Sequence, residues 1–99
     1  MAKWKMKSIK HSGTCGERGT DRQEPYYLAR NNCTVEFGIS ELKIGYPVVL
    51  YYSPKEEYHG NGILTSKLSK FEEYKENGEV FIRIETENSI FLMKAVDWI

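Results

Sequence analysis

The chain has 99 residues, a net charge of zero and an aromatic fraction of 13%. About 100 residues make one domain with a single modest core, so we expect residues 1–99 to form one unit. Zero net charge excludes the strong basic excess of a dedicated duplex-DNA binder, and no apolar run approaches the ~20 residues of a membrane helix.

The N-terminal segment is basic but lacks the apolar run of a secretion signal. We therefore expect a cytoplasmic protein whose two cysteines are reduced thiols. Charge is unevenly spread, because residues 1–35 carry seven Lys and Arg against three acids, and residues 36–99 carry seven against eleven. The basic front could meet an anionic ligand or an acidic partner. Mixed-sign surfaces are common, however, and we favour contact with the protein's own acidic remainder.

Residues 2–10 alternate apolar and basic side chains, which predicts a half-buried strand. Ala2, Trp4 and Met6 fall on one face and lysines on the other. Lysines discourage further strand pairing, so we place this strand at the edge of the sheet. Residues 11–24 lose all periodicity and contain three glycines. They predict a long loop, of a length that is uncommon unless the loop is functional or flexible.

Three further segments and a loop precede the C-terminal region. Residues 25–30 predict a second strand, and an Asn-Asn pair typical of a turn follows it. Residues 33–37 alternate again and predict a third strand. Residues 42–52 predict a tight turn that leads into a strongly apolar strand, and residues 53–62 predict a second loop.

The clearest prediction concerns residues 62–97, a β-hairpin followed by a last strand. Asn77-Gly78 favours a type I′ turn, because both central positions of that turn need positive φ. A hairpin centred there matches charges and rings across the strands: Lys70 with Glu85, Glu72 with Arg83, Phe71 with Ile84, and Tyr74 with Phe81. A shift of one residue would remove all of these matches at once, so the register is well defined.

Two details of this region stay open in the sequence. Residues 86–89 predict a break before the last strand, and the hairpin register, continued that far, places Ser66 opposite Ser89. Residues 67–76 also carry acid–lysine spacings that favour a helix, which is the main alternative to the hairpin.

Five or six short strands separated by turn signals predict an all-β fold, a small closed or nearly closed barrel. We expect a barrel of the Src-homology-like or oligonucleotide-binding (OB)-like kind. The long N-terminal loop should lie across it.

Two histidines and two cysteines together could supply the four ligands of a tetrahedral zinc site. These residues are His11, Cys15, Cys33 and His59. The sequence lacks a Cys-x-x-Cys pair, and a ligand count alone is weak support. We therefore expect one buried cysteine, one exposed cysteine, and no bound metal or other cofactor.

Cys15 and the nearby His11 could in principle act as a thiolate and its base. Such a nucleophile needs a rigidly held base and a pair of oxyanion donors. A glycine-rich loop on so small a domain offers little to hold that geometry, and the sequence contains no phosphate-binding or serine-elbow motif. We therefore expect a protein that is not an enzyme and has no catalytic residue.

Tyrosines and arginines in and after the long loop form the candidate contact surface. They are Arg18, Arg22, Tyr26, Tyr27 and Arg30. Tyr and Arg dominate the energetics of protein interfaces, and the same side chains suit stacking and phosphate contacts with single-stranded RNA or DNA. The alternative is that the tyrosines cover the ends of the barrel.

Two short polar clusters form a second candidate site. They contain Thr65, Ser66, Thr86, Asn88 and Ser89. These uncharged donors and acceptors would line one end of the barrel, where hydrogen bonds could hold a small polar ligand. The alternative, which we favour, is that they satisfy backbone groups at the strand ends.

Thr65-Ser66-Lys67-Leu68 and, after the hairpin, Thr86-Glu87-Asn88-Ser89-Ile90-Phe91 resemble a pattern in small uncharacterised bacterial and phage proteins. In those proteins a Thr-Ser-x-aliphatic strand precedes a Thr-x-Asn-Ser-x-aromatic strand. The resemblance spans residues 45–95 and implies a small barrel without an established activity.

These features predict a non-enzymatic binding or regulatory protein that acts by protein–protein contact or by capturing a small ligand. Compact chains of this kind are common in phages and mobile elements, where they inhibit host machinery, and we extend that role to this chain. The alternative function is binding of single-stranded nucleic acid, above all RNA.

Overall fold

Six antiparallel strands close into a barrel in the computed structural model, which describes residues 2–53 and 62–98. The strands are β1 (Ala2–His11), β2 (Thr34–Phe37), β3 (Pro47–Tyr52), β4 (Gly62–Glu76), β5 (Glu79–Thr86) and β6 (Ser89–Trp98). A short helix α1 (Pro25–Leu28) and a 3-10 turn (Ile39–Glu41) lie between β1 and β3. The predicted small all-β barrel is confirmed. Because every strand pairs with its neighbour in the chain, the connectivity is a meander rather than the Greek key of the OB fold.

The strand predicted at residues 2–10 is confirmed as β1, but its predicted position at a sheet edge is wrong. β1 pairs with β2 along one side and with β6 along the other, and the β1–β6 pairing closes the barrel. Alternation of lysines with apolar residues shows which face of a strand is exposed to solvent, but it does not show with how many other strands that strand pairs. Two bulges, at Lys3/Trp4 and Met6/Ser8, adjust the register along this closing seam.

The barrel interior holds the hydrophobic core, and strand alternation decides which side chains enter it. Trp4 and Phe37 are fully buried and stack with their ring centroids 5.6 Å apart. All six strands contribute to the cluster around them, with Met6, Ile9, Val35, Val48, Leu50, Ile63, Leu68, Ile82, Ile84, Phe91 and Met93. Burial of each such side chain contributes about 1.5–3 kcal/mol, which makes the interior the main source of stability.

The predicted C-terminal hairpin is confirmed, and the alternative helix over residues 67–76 is wrong. All four predicted cross-strand pairs are present, from Lys70 opposite Glu85 to Tyr74 opposite Phe81. The rings of that last pair stack 5.5 Å apart at 15°. Asn77 and Gly78 have φ of 52° and 80°, the positive values that the turn requires.

The register continued beyond the hairpin is wrong, because a bulge interrupts it. Lys70 faces Glu85, but Leu68 faces Thr86, so the β4–β5 register shifts between them. Ser66 consequently does not lie opposite Ser89. It bonds instead to Thr86 and to the backbone N–H of Asn88.

The strand predicted over residues 25–30 is also wrong, since this segment starts with helix α1. Pro25 occupies the first turn of the helix, where its missing N–H costs nothing. Both sides of β1 are already occupied, so no strand edge near the loop remains for Tyr26 and Tyr27 to join. The Asn-Asn turn that follows is confirmed, with Asn32 at φ 69°. The loop predicted at residues 53–62 falls almost wholly at 54–61, outside the described residues.

We predict that Gly62→Ala destabilises the barrel where β4 begins. A Cβ at Gly62 would lie 2.3 Å from the carbonyl oxygen of Leu50, a backbone atom that cannot turn aside. Overpacking of this kind costs about 1–3 kcal/mol, measurable as a lower free energy of unfolding in urea. Gly38→Ala is the matched control, because its Cβ would meet only side-chain atoms, with Oε1 of Glu41 at 3.3 Å and Oγ of Ser40 at 3.6 Å. Equal stability of the two variants would contradict the tight contact at Gly62.

Candidate functional site

The loop that follows β1 is fastened to the turn between β5 and β6. The hydroxyl of Thr14 donates to the carbonyl of Glu87 at 3.0 Å and to Oδ1 of Asn88 at 2.8 Å. The hydroxyl of Ser12 also donates to the Glu87 carbonyl. The loop predicted across the barrel therefore does lie against it, and hydroxyl side chains make the first attachment.

Arg18 makes the second attachment, by a two-pronged ion pair to β5. Its Nη1 and Nη2 lie 2.9 and 2.6 Å from the two carboxylate oxygens of Glu85, and Nη1 also donates to the carbonyl of Ser12. The hydrogen bond from Arg18 is the main reason that the pKa of Glu85 lies below its ordinary value. Lys70 and Arg83 lie farther from the same carboxylate, at 3.8 and 3.7 Å.

Arg22 makes the third attachment and is the one buried cation of the loop, with 7% of its surface exposed. Its Nη1 donates to the carbonyl of Asn88 at 3.0 Å and to the hydroxyl of Ser89 at 2.8 Å. Its Nε donates to Glu24 at 3.0 Å, and the guanidinium lies 4.3 Å from the centroid of the Tyr27 ring. A buried guanidinium needs this full set of partners, since an unpaired charge would be costly there.

Arg30 organises an adjoining group of side chains around α1, which we call the tyrosine–arginine platform and which meets Tyr27 through the ring of Tyr26. The platform consists of Tyr26, Leu28, Arg30 and Tyr52. The guanidinium carbon of Arg30 lies 3.5 Å from the centroid of the Tyr26 ring, and its Nε donates to the hydroxyl of Tyr52 at 2.6 Å. Its Nη1 donates to the Tyr26 carbonyl at 2.8 Å. Tyr26 remains 44% exposed above this support, and Leu28, the other exposed apolar side chain of α1, is 48% exposed.

The structure brings four of the five predicted partner-binding residues together, because the rings of Tyr26 and Tyr27 meet edge to face with centroids 5.0 Å apart and each ring carries one arginine. Arg18 is attached to β5, Arg22 and Tyr27 lie together where the loop meets the β5–β6 turn, and Tyr26 and Arg30 belong to the platform. Contact of these residues with a partner stays a prediction. Of the five, Arg22 is buried and offers little surface for such contact.

The five predicted small-ligand residues form a hydrogen-bonded network that joins β4 to the β5–β6 turn. The Thr65 hydroxyl accepts the backbone N–H of Val48 at 2.9 Å. The Ser66 hydroxyl donates to that of Thr86 at 2.9 Å and accepts the N–H of Asn88 at 3.0 Å. Thr86 accepts the N–H of Ser89 at 3.2 Å. These bonds satisfy backbone groups at strand ends, as the favoured alternative expects, while binding of a ligand here stays a prediction.

Three of the four residues weighed as zinc ligands, His11, Cys15 and Cys33, lie in the described part of the chain and do not form a metal-binding group there. Cys33 is 1% exposed and belongs to the core, whereas Cys15 is exposed on the loop. The Cys15 sulfur lies 3.7 Å from the Thr14 hydroxyl and 3.9 Å from Oδ1 of Asn88. His59 lies outside the described residues. Within residues 2–53 and 62–98, no three His, Cys, Asp or Glu residues are grouped so that they could hold a metal ion.

A groove on the outer surface of the barrel is a feature that the sequence analysis missed. It has a volume of about 320 Å³ and crosses β4, β5, β6 and β1. Its lining includes Ser8, Lys10, Tyr74, Arg83, Ile90 and Leu92. The β5–β6 register, which pairs Arg83 with Leu92, would have been needed to find it, and no charge or ring match in the sequence defines that register.

Leu28 and Tyr52 were not among the predicted contact residues, because the contact of Tyr52 with Arg30 joins residues 22 positions apart and Leu28 is neither aromatic nor charged. Comparisons with known proteins add nothing to these geometries: no protein-family model, curated protein or solved structure matches the chain. The described part of the chain contains no helix long and apolar enough to cross a membrane.

We predict that Thr86→Val destabilises the barrel although it keeps the size of the side chain. Thr86 is 2% exposed and its hydroxyl bonds both the Ser66 hydroxyl and the N–H of Ser89, so valine would leave buried polar groups without a partner. Such a loss costs about 1–3 kcal/mol of unfolding free energy. Ser69→Ala removes an exposed hydroxyl bond to Glu85 and serves as the control, with an expected change within about 0.5 kcal/mol. A neutral Thr86→Val would show that the network is dispensable.

We predict that the loop attachment weakens in acid. The hydrogen bond from Arg22 is the main reason that the pKa of Glu24 falls from its ordinary value of 4.5 to about 2. The folded protein thus favours the carboxylate, so this stabilisation is complete above pH 4.5 and is lost as pH falls towards about 2. Unfolding measured across this range should show the loss in the native chain, and Glu24→Gln should reduce it. An identical acid profile for the two proteins would contradict the role of Glu24.

Proposed function

We propose that this barrel is a non-enzymatic binding protein that acts by protein–protein contact, and that the tyrosine–arginine platform is its contact surface. Tyr26 and Arg30 are the anchoring residues of the proposal, and Leu28 widens the apolar area beside them. Aromatic and arginine side chains of this kind supply most of the energy of protein interfaces.

One observation carries the proposal: an exposed aromatic side chain rests on a support that hydrogen bonds already hold together. Tyr26 and Leu28 are 44% and 48% exposed, yet the Arg30 guanidinium holds the backbone and ring of Tyr26 and the hydroxyl of Tyr52. Binding to a preformed surface loses less conformational entropy than binding to a mobile one.

The strand pattern shared with small bacterial and phage proteins extends this proposal to a regulatory role. A compact chain that occupies a surface of a larger protein can inhibit it without any chemistry of its own. The proposed role is therefore inhibition of host machinery by contact, as phages and mobile elements use it.

Single-stranded RNA binding through the same tyrosines is the second candidate function. It has less support, because phosphate contacts need cations that face solvent. Arg22 is buried, and the Arg30 guanidinium is bonded to Tyr26 and Tyr52. The two functions differ in salt dependence, since phosphate contacts weaken steeply with added salt and an apolar protein interface tolerates it.

The test is capture of a protein from the native host by the intact chain, followed by affinity measurement with that purified protein. We expect Tyr26→Ala with Leu28→Ser to weaken binding by about 30-fold or more, the loss of an interface anchor worth about 2 kcal/mol. Tyr26→Phe keeps the ring and should retain most of the affinity.

Tyr46→Ala is the matched control, because Tyr46 is 63% exposed and lies before β3, away from the platform. It should bind as the native chain does. Capture that disappears after nuclease treatment would favour the RNA function instead. Unchanged affinity of the platform variant for a nuclease-resistant partner would overturn the platform as the contact surface.

A further inference from the structure

The groove on the outer barrel surface has the features of a small-ligand site that is independent of the platform. Its floor is apolar, formed by Ile90 and Leu92 on the outer face of β6. Ile90 is 6% exposed but does not belong to the interior core cluster. Tyr74 supplies an aromatic wall on the β4 side, and Gly19 of the long loop contributes to the lining.

Two cations border this floor from opposite sides of β6. Lys10 lies across from Ile90 on β1, and Arg83 lies across from Leu92 on β5. Strands in a sheet lie about 4.8 Å apart and each residue advances a strand by about 3.3 Å. Because Ile90 and Leu92 are two residues apart on β6, the backbones of the two cations are separated by about 12 Å. Side chains as long as Lys and Arg can span half of that distance each, so both can reach one anion above the floor.

Acidic residues lie beside both cations, but neither cation has a carboxylate to itself. Glu72 lies opposite Arg83 and Asp21 lies opposite Lys10, and in the described part of the chain neither couple forms an ion pair. The carboxylate of Glu85 is already bound through both oxygens by Arg18, and Arg83 lies 3.7 Å from it. Lys10 has no ion-pair partner within residues 2–53 and 62–98. The loop therefore contributes to the groove in two ways. Arg18 binds Glu85, so that this carboxylate is shared between Arg18 and Arg83, and Gly19 forms part of the groove lining.

Shape and chemistry together define what would fit. The volume of about 320 Å³ lies at the small end of ligand pockets, which hold about 300–1,000 Å³. An apolar floor beside an aromatic wall accommodates a planar ring. A guanidinium and an ammonium that line the same groove suit a phosphate, which accepts hydrogen bonds on several oxygens.

We propose that this groove binds a phosphorylated planar ring of mononucleotide size. The ring lies on Ile90 and Leu92 against Tyr74, and the phosphate lies between Lys10 and Arg83. The hydroxyl of Ser8, opposite Leu92 on β1, borders the same space and provides one further polar contact. The site binds its ligand without catalysing a reaction, and this proposal does not depend on the protein-binding role of the platform.

The test is calorimetric titration of the intact chain with adenosine 5′-monophosphate, adenosine and inorganic phosphate. We expect the nucleotide to bind at least about tenfold more tightly than either fragment, because only the nucleotide uses both the floor and the cations. Lys10→Gln and Arg83→Gln should each weaken nucleotide binding by about tenfold or more, the loss of one charge-assisted hydrogen bond.

Lys7→Gln is the matched control, because Lys7 is an exposed lysine of the same strand that does not line the groove. It should bind the nucleotide as the native chain does. Leu92→Trp should fill the groove and abolish binding, while an unchanged circular dichroism spectrum shows that the barrel is intact.

The same titrations distinguish the sources of the ligand and the ways in which the proposal fails. An adenosine octanucleotide that binds more tightly, with the same losses in the Lys10 and Arg83 variants, would support the chemistry and assign it to the end of an RNA strand. Phosphate binding as strong as nucleotide binding would overturn the ring site. An equal loss with Lys7→Gln, or no nucleotide binding at millimolar concentration, would overturn the groove as a site.

Discussion

The pairing of β1 with β6 is the interaction on which the rest of the structure depends. It joins the two ends of a six-strand meander and runs the length of both strands, with two bulges that adjust its register. Closure places Trp4 and Met6 inside the barrel and the β1 lysines outside. It also aligns β1, β6 and β5 side by side, and this alignment creates the groove. Finally, it leaves no edge near α1, so the platform forms as a helix instead of a strand.

Arginines connect this barrel to the long loop, and each performs a different task. Arg18 binds an acid of the C-terminal region, so part of the basic front does meet the protein's own acidic remainder, as the charge distribution suggested. Arg22 fills a buried position between the loop and the β5–β6 turn. Arg30 holds the platform. The length of the loop allows three attachments across one end of the barrel, at Thr14, Arg18 and Arg22.

Much of the fold was predictable, because short-range pattern decides it. The hairpin at Asn77-Gly78 and its four cross-strand pairs followed from turn chemistry and matched side chains. Three predictions were wrong: the edge position of β1, the strand over residues 25–30 and the register at Ser66. The true arrangement at each place depends on neighbours that are distant in sequence or on a bulge that has no signal in the sequence. Tyr26 and Arg30 were found by residue type. Tyr52 and the groove were not, because only barrel closure brings their surroundings together.

The burial of Cys33 beside an exposed Cys15 gives the chain two internal reporters with different sensitivities. A thiol reagent added to the native protein meets the Cys15 sulfur at once, whereas Cys33 is 1% exposed and must wait for its surroundings to separate. The slow modification step therefore records how often the barrel opens near β2, and the fast step records the environment of the loop. In a Cys15→Ser variant only the slow modification of Cys33 would remain, and its rate would report how often the core opens.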